Sequence, residues 1–151
     1  MTISQLIEAG VVSFLEVDSR NAALKKLIDA LGDSGEITDK EGFFEAIMKR
    51  ERIVSTGIGM GVAIPHAKLS IFDHFFIAIG LQKIKKRGID WDALDGAPVR
   101  LIFMIGGPVN RQTDYLKILS RLTAAMKDEE RRKKLLNVNK KEDVAPLFEG
   151  C

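Results

Sequence analysis

One short stretch of the chain combines a nucleophilic side chain with a backbone pattern that packing alone does not explain. It runs from Ser55 to His66 and reads Ser-Thr-Gly-Ile-Gly-Met-Gly-Val-Ala-Ile-Pro-His. Its alternating glycines allow tight curvature and close approach of another group. Pro65 removes a backbone donor and stiffens the chain, which predicts a fixed orientation for the His66 imidazole where a strand ends. A neutral imidazole, whose ordinary pKa is about 6.5, is a good nucleophile toward phosphorus at pH 7.

The same residues admit other interpretations. His66 can be a structural histidine in a turn, and Ser55 and Thr56 can either offer hydroxyls to a phosphoryl group or serve as turn residues. The glycine pattern neither begins a long helix nor contains Gly-Lys-Ser/Thr, so the common nucleotide-binding fingerprints do not fit. A nest of backbone N–H groups that binds a nucleotide or another small anion stays open as an alternative.

Apart from His66, the sequence has few histidine or cysteine residues that could bind a metal. The second histidine, His74, belongs to no motif, and the one cysteine, Cys151, is the last residue of the sequence given. This set has no metal-ligand spacing, so we expect neither a metal nor a cofactor. A lone cysteine also excludes an internal disulfide, which is typical of a reducing compartment.

The segments before the glycine-rich stretch must position it. Val11 to Leu15 is typical of a strand, and Asp18 or Ser19 can cap the helix that follows, which has apolar residues at helical spacing. Thr38 and Glu41 have the spacing of a capping box, which predicts a second helix ending near Arg50 or Glu51.

The segments after it predict buried strands and further helices. Phe75 to Leu81 and Val99 to Ile105 are short and almost wholly apolar, as are strands covered on both faces. A long helix is expected from Thr113, with its apolar face formed by Leu116, Leu119, Leu122 and Met126. Shorter helices are expected from Asp128 and near Glu142 to Phe148. Strands interleaved with helices predict an α/β fold, a single domain whose mixed sheet has about five strands flanked by helices.

Bulk composition excludes several classes of protein. The 151 residues suit one compact domain, and the net charge of +2 gives no basis for nucleic-acid binding. The first ten residues lack the basic and apolar regions of a signal peptide, and no apolar run is long enough to span a membrane. A cytoplasmic location is therefore expected.

The string that begins with Arg50-Glu51 and continues from Ser55 to His66 resembles the signature of the type-2 enzyme IIA domains. These domains belong to the bacterial phosphoenolpyruvate-dependent phosphotransferase system (PTS) and include fructose, mannitol and nitrogen-regulatory members. The similarity continues through Gly88–Trp91, Asp95–Val99 and Tyr115–Ser120, so it covers nearly the whole chain, residues 1–151. It implies a mixed sheet flanked by helices. It also implies that His66 takes a phosphoryl group from the histidine carrier HPr, or a relative, and passes it to a IIB domain.

The resemblance also assigns supporting residues. Arg50 matches the arginine of the family, whose guanidinium can hold phosphoryl oxygens in a bidentate contact; a solvated charge at a helix end is the alternative. Gly57, Gly59, Gly61 and Pro65 complete the phosphoryl loop with Ser55 and Thr56. Many members have a second histidine where this sequence has Tyr115, a residue that can donate an O–H but cannot carry positive charge. Core packing is the alternative for Tyr115.

These features lead to a functional hypothesis. The chain is expected to be a phosphohistidine carrier, with a nitrogen-type regulatory role favoured over sugar transport because no transport domain is attached and Tyr115 departs from the pattern. The expected partners are an HPr-like protein and either a IIB domain or regulated target proteins. The competing hypothesis is an interaction module that kept the fold and lost phosphotransfer.

Overall fold

A computed structural model describes residues 2–151 as one α/β domain built on a six-stranded mixed sheet. The strands are β1 (Val11–Leu15), β2 (Gly57–Gly59), β3 (Val62–Ala63), β4 (His66–Lys68), β5 (Phe76–Gln82) and β6 (Leu101–Gly107). The helices are α1 (Ile3–Glu8), α2 (Arg20–Asp33), α3 (Lys40–Ile53), α4 (Gln112–Met126) and α5 (Glu129–Leu136), followed by 3₁₀ turns at Lys141–Asp143 and Ala145–Phe148. The predicted fold class is confirmed, with one more strand than expected.

The sheet is arranged around β5 and β6. The order is β1-β5-β6-β3-β2, and β4 also pairs with β6. Strands β5 and β6 are antiparallel to each other, whereas β1 lies parallel to β5, and β3 and β4 lie parallel to β6. Every residue of β5 and β6 is buried, as their continuous apolar sequences predict.

Helices cover both faces of the sheet. On one face, α2 and α3 pack their apolar stripes against residues of β5 and β6 such as Ala78, Ile102 and Met104. On the other face, α1, α4, α5 and the last 3₁₀ turn enclose a second core that contains Ile77, Phe103 and Ile105. Alternate residues of β5 and β6 therefore serve different cores, because side chains on a strand point to opposite faces in turn.

The ends of α1, α2 and α3 follow from side-chain caps. The Ser19 hydroxyl accepts from the Ala22 N–H at the start of α2, which decides between the two predicted caps. At α3 the predicted Thr38–Glu41 capping box is wrong: the Asp39 carboxylate caps the helix by accepting from the Gly42 N–H. A true capping box starts α1 at Thr2, in the opening segment for which no helix was predicted.

The C-terminal helices differ in detail from the prediction. Helix α4 buries Tyr115, Leu122, Ala125 and Met126, whereas Leu116 is 53% exposed and does not belong to the buried face. The shorter helix expected from Asp128 is α5, which starts at Glu129 with Asp128 as its N-cap. The segment near Glu142 to Phe148 forms two 3₁₀ turns instead of one helix. Within residues 2–151, no helix is both long and apolar enough to cross a membrane.

Gly106 in β6 provides a test of the core packing. A β-carbon added there would collide with the Phe76 ring, which is itself held by a tilted contact with Phe43 and an edge contact with Phe72. We therefore expect Gly106→Ala to lower the free energy of unfolding by about 1–3 kcal/mol, the usual cost of overpacking, measured by urea denaturation.

Gly32 in α2 is the matched control. An added β-carbon there meets only the flexible side chain of Lys40, at 2.9 Å, and alanine is a better helix former than glycine. Gly32→Ala should leave stability unchanged or raise it. Equal losses in the two variants would contradict the packing argument.

Candidate functional site

The backbone that carries His66 is one extended segment interrupted at Pro65. Val62 lies opposite Leu101 and His66 opposite Ile105, so β3 and β4 keep the same register against β6 on both sides of the proline. The Ile105 N–H donates to the Pro65 carbonyl at 2.9 Å. His66 therefore begins strand β4, which corrects the prediction that it stands where a strand ends.

The ring of His66 is held by its own backbone. Its Nδ1 lies 2.7 Å from the carbonyl oxygen of Ile64. Because a carbonyl oxygen only accepts hydrogen bonds, Nδ1 carries the proton in the neutral ring and Nε2 keeps a free lone pair. Burial lowers the pKa of His66, the Ile64 contact opposes this, and the charges of Arg50 and Lys68 lower the pKa further. The half-buried imidazole is thus neutral at pH 7, with Nε2 as its nucleophilic atom.

Arg50 lies close enough to influence both rings of the site. It is in the last turn of α3, and its Nη1 donates to the Val54 carbonyl at 2.8 Å. Its positive charge lowers the pKa of both His66 and Tyr115. His66 and Tyr115 are therefore in contact, Arg50 is near enough for its charge to act on both, and its contact with Val54 leaves other N–H groups for a ligand.

Tyr115 lies beside His66 and is also part of the core. The two ring centroids are 5.6 Å apart with an interplanar angle of 64°. Tyr115 is 3% exposed and stacks on Phe75, and its hydroxyl has no hydrogen-bond partner among residues 2–151. Burial raises the pKa of Tyr115, so the hydroxyl stays protonated and can donate a hydrogen bond, while its ring contacts the imidazole. Both interpretations of this residue thus have structural support.

Lys68 belongs to the same group, although the sequence analysis did not select it. It is two residues after His66 on β4, so the two side chains share one face of the strand. Its Nζ lies 5.0 Å from the centroid of the Tyr115 ring and donates a hydrogen bond to Gln112. The signal that could have identified it is the two-residue period of a strand that begins at His66.

The buried carboxylate of Glu51 stabilises the backbone next to the site. Glu51 is 5% exposed and accepts hydrogen bonds from the Thr56 N–H at 3.0 Å and from the Thr56 hydroxyl. The indole N–H of Trp91 also points to Glu51, at 3.4 Å, and to the Thr56 hydroxyl oxygen, at 3.2 Å. A buried position for Glu51 was not predicted; the signal that could have indicated it is its spacing of four from Ile47 and Phe43 on α3.

The hydroxyls of the predicted phosphoryl loop are engaged within the protein. Ser55 donates to the Trp91 carbonyl at 2.6 Å and accepts from the Gly57 N–H, while Thr56 donates to Glu51. These contacts favour the alternative that both residues stabilise the turn.

The glycine turn lies at the far end of the hairpin from His66. The Ile64 N–H donates to the Thr56 carbonyl near His66, whereas Gly59 pairs with Val62. Gly59 and Gly61 have φ values of +99° and +76°, which glycine adopts without strain. The Met60 N–H in this turn already binds the Asp95 carboxylate at 3.0 Å. The protein's own anion thus occupies the turn, which argues against a phosphate cradle or a nucleotide nest there. Direct contact of Gly59 or Gly61 with a group on His66 has no support in this geometry.

His74 is separate from this group. Its ring nitrogens each lie 2.5 Å from a carboxylate oxygen, one of Asp73 and one of Glu36, and its side chain is 60% exposed. These hydrogen bonds raise its pKa. The contacts describe a surface ion pair.

Comparison with known proteins identifies the class. A family model described as "Phosphoenolpyruvate-dependent sugar phosphotransferase system, EIIA 2" matches residues 5–150. The chain belongs to this family, as the resemblance predicted, and members of the family are phosphotransferase components.

Curated relatives include both sugar-specific and regulatory proteins. The fructose-specific EIIA component of Haloferax volcanii is 35% identical over 130 residues, covering 86% of this chain and 82% of the relative. A nitrogen regulatory protein of Bradyrhizobium diazoefficiens is 34% identical over 138 residues, covering 89% and 86%. The fructose-specific EIIABC component of Bacillus subtilis is 34% identical over 149 residues, or 98% of this chain, but the chain spans only 23% of that protein.

Solved structures share the fold. The nitrogen regulatory protein IIA-Ntr of Neisseria meningitidis superposes with a TM-score of 0.83 at 28% identity, covering 97% of this chain and 94% of the other. The mannitol IIA of Escherichia coli, solved in complex with phosphorylated mannitol IIB, gives a TM-score of 0.76 at 17% identity, covering 94% and 95%.

The two histidines should titrate on opposite sides of the ordinary value. We expect a pKa below about 6.5 for His66, because burial and two cations disfavour its charged form. His74 should titrate above about 6.5, because two carboxylates favour its charged form. The measurement is an NMR titration of the imidazole C–H signals, assigned with His66→Ala and His74→Ala. A midpoint for His66 equal to or above that of His74 would contradict the site geometry.

Proposed function

We propose that this protein is a phosphohistidine carrier, in which His66 accepts a phosphoryl group from an HPr-like protein. The observation that carries the proposal is the hydrogen bond between His66 Nδ1 and the Ile64 carbonyl. It fixes the tautomer and leaves Nε2 as the attacking atom before any donor arrives. Little reorganisation is then needed to reach the geometry of an in-line transfer.

The transfer needs no reactant other than the phosphorylated donor and this protein. The Nε2 lone pair of His66 forms a bond to phosphorus while the N–P bond of the phosphorylated donor breaks, and the donor's nitrogen keeps that electron pair. The proton on Nδ1 stays where it is, so the phosphorylated ring becomes cationic. The Ile64 carbonyl, which already accepts from Nδ1, stabilises that positive charge.

Arg50 and Tyr115 are proposed to support the phosphoryl group during transfer. The reacting group passes through a loose transition state with negative charge on its oxygens, so catalysis depends on positioning and on nearby positive charge. Arg50 supplies that charge in a planar, bidentate form. Tyr115, whose ring contacts that of His66, adds a neutral O–H donor that is unpaired among residues 2–151.

The partners are proposed by analogy with the relatives. HPr or a similar phosphocarrier would be the donor, and a cytoplasmic location follows from that partner. A IIB domain is one acceptor: it binds the E. coli mannitol IIA, and the EIIABC name of the B. subtilis relative includes one.

A regulatory, nitrogen-type role is the finer proposal. Tyr115 replaces the family's second histidine and lies against His66, so the site lacks one group that can become cationic. We expect a site without that second cationic group to suit a carrier whose phosphorylation state is read by target proteins. If this protein, once phosphorylated, passes its phosphoryl group rapidly to a fructose or mannitol IIB domain, a transport role is favoured instead. Failure to accept phosphoryl at all would favour the interaction module.

Phosphorylation of His66 is the direct test. With phosphoenolpyruvate, enzyme I and HPr, the protein should acquire one acid-labile, base-stable phosphoryl group, detected by mass spectrometry. His66→Ala should abolish the label, and the control His74→Ala should retain it, because His74 is an exposed ion-pair residue. Label that persists in His66→Ala, or that maps to His74, rejects the assignment.

Arg50 should contribute to transfer and little to folding. Arg50→Lys keeps the charge but loses the planar fork, and removing one transition-state contact typically slows a reaction by roughly 10²-fold. The transfer rate is measured by quenched-flow labelling beside the thermal midpoint. Arg52→Lys, at an exposed position two residues further on in α3, is the matched control and should behave as wild type. A rate loss shared by both variants, or one that tracks unfolding, would exclude this role.

A further inference from the structure

Lys68 is a cation in the site that the proposed transfer does not use. Side chains two residues apart on a strand share a face, and about 3.3 Å of rise per residue brings a long lysine within reach of its neighbour. The Nζ of Lys68 lies 5.0 Å from the Tyr115 ring centroid, and that ring lies 5.6 Å from the imidazole of His66. The three side chains therefore form one contiguous cluster.

Within the part of the chain that the structure describes, no carboxylate pairs with Lys68. Its hydrogen-bond partner is the neutral side-chain oxygen of Gln112, the first residue of α4. Among the ion pairs found within residues 2–151, none includes Lys68, whereas Lys85 and Lys86 pair with Glu16 and Asp18. An ammonium group held by a neutral amide can exchange that partner for an anion with a gain in free energy, because charge-assisted hydrogen bonds are the stronger ones.

Two further observations indicate an anion at this position. Positive charge on Lys68 lowers the pKa of His66, so the lysine acts on the same imidazole as Arg50 does. The Tyr115 ring, which Lys68 contacts, carries a buried hydroxyl with no hydrogen-bond partner among residues 2–151, so this donor is costly in the unphosphorylated protein and is available to a ligand. A phosphoryl group on His66 would bring acceptor oxygens to both donors.

We propose that Lys68 is a second phosphoryl-binding residue, held by Gln112 in the unphosphorylated protein and transferred to a phosphoryl oxygen once the group is on His66. This inference rests on the proposed function, since it requires phosphorylated His66. It gives the site a second cation in place of the one that Tyr115 cannot supply. It also releases Gln112, which is exposed at the start of α4, so phosphorylation changes a surface that a partner protein can contact.

The test is Lys68→Gln, compared with wild type for transfer rate and for the 31P titration of phosphorylated His66. If Lys68 binds the phosphoryl group, Lys68→Gln should slow transfer roughly 10- to 100-fold, the range expected when one charge-assisted contact is lost. The phosphoryl group should also have a higher pKa in Lys68→Gln than in wild type, because the variant lacks the cation that favours the dianion. Lys68→Arg should restore both largely. Lys117→Gln, an exposed lysine on α4, is the control and should match wild type.

The wild-type protein gives a second measurement that does not depend on how a variant folds. The side-chain amide NMR signals of Gln112 should shift on phosphorylation, as its contact with Lys68 is lost. Unchanged amide signals, or a Lys68→Gln variant with normal rate and normal 31P titration on a labelled His66, would overturn the role of Lys68. A wild-type protein that takes no label on His66 would instead overturn the proposed function, and this inference with it.

Discussion

The geometry of the site depends on one buried carboxylate. Glu51 binds the Thr56 backbone and hydroxyl on one side and faces the Trp91 indole on the other. It therefore joins the end of α3 to the hairpin that leads to His66, and Arg50 is its neighbour in sequence. A buried carboxylate without partners would be strongly unfavourable, so the three elements must meet for the chain to fold. The position of Arg50 relative to His66 in this way depends on a hydrogen-bonded cluster, whose Glu51 charge also acts to raise the pKa of His66.

A second constraint is the interruption at Pro65. The strand that carries His66 keeps its register against β6, but Pro65 has no N–H and the Ile64 carbonyl turns to the His66 ring. The same backbone thus pairs with the sheet and orients the imidazole. A side chain held by its own main chain loses little entropy on reaching a reactive geometry, because the orientation is already present in the resting protein.

Much of this arrangement could be predicted from the sequence. Apolar runs located β5 and β6, helical spacing located α2 to α4, and the Gly-rich run with Pro65 and His66 indicated the site. Local signals failed where several neighbours compete. Asp39 outcompetes Thr38 as a cap, and Leu116 is exposed because α4 turns Tyr115 inward instead. Lys68 and Gln112 are far apart in sequence, and only the pairing of β4 with β6 brings their elements together. The carboxylate that binds the Gly59–Gly61 turn, Asp95, could not be predicted either, because it comes from a loop that the turn contacts only in the folded protein.

The pairing of β4 with β6 also determines when the site can exist during synthesis. His66 lies opposite Ile105, and Tyr115 follows in α4. The strand that carries the imidazole therefore has no β6 to pair with until the chain has been made well beyond residue 107. Contacts of such sequence separation pay their loop-closure entropy before they stabilise anything, and they form late. A nascent chain that still lacks β6 and α4 presents the histidine on an unpaired segment. Most of this protein must therefore have left the ribosome before His66 and Tyr115 can come together.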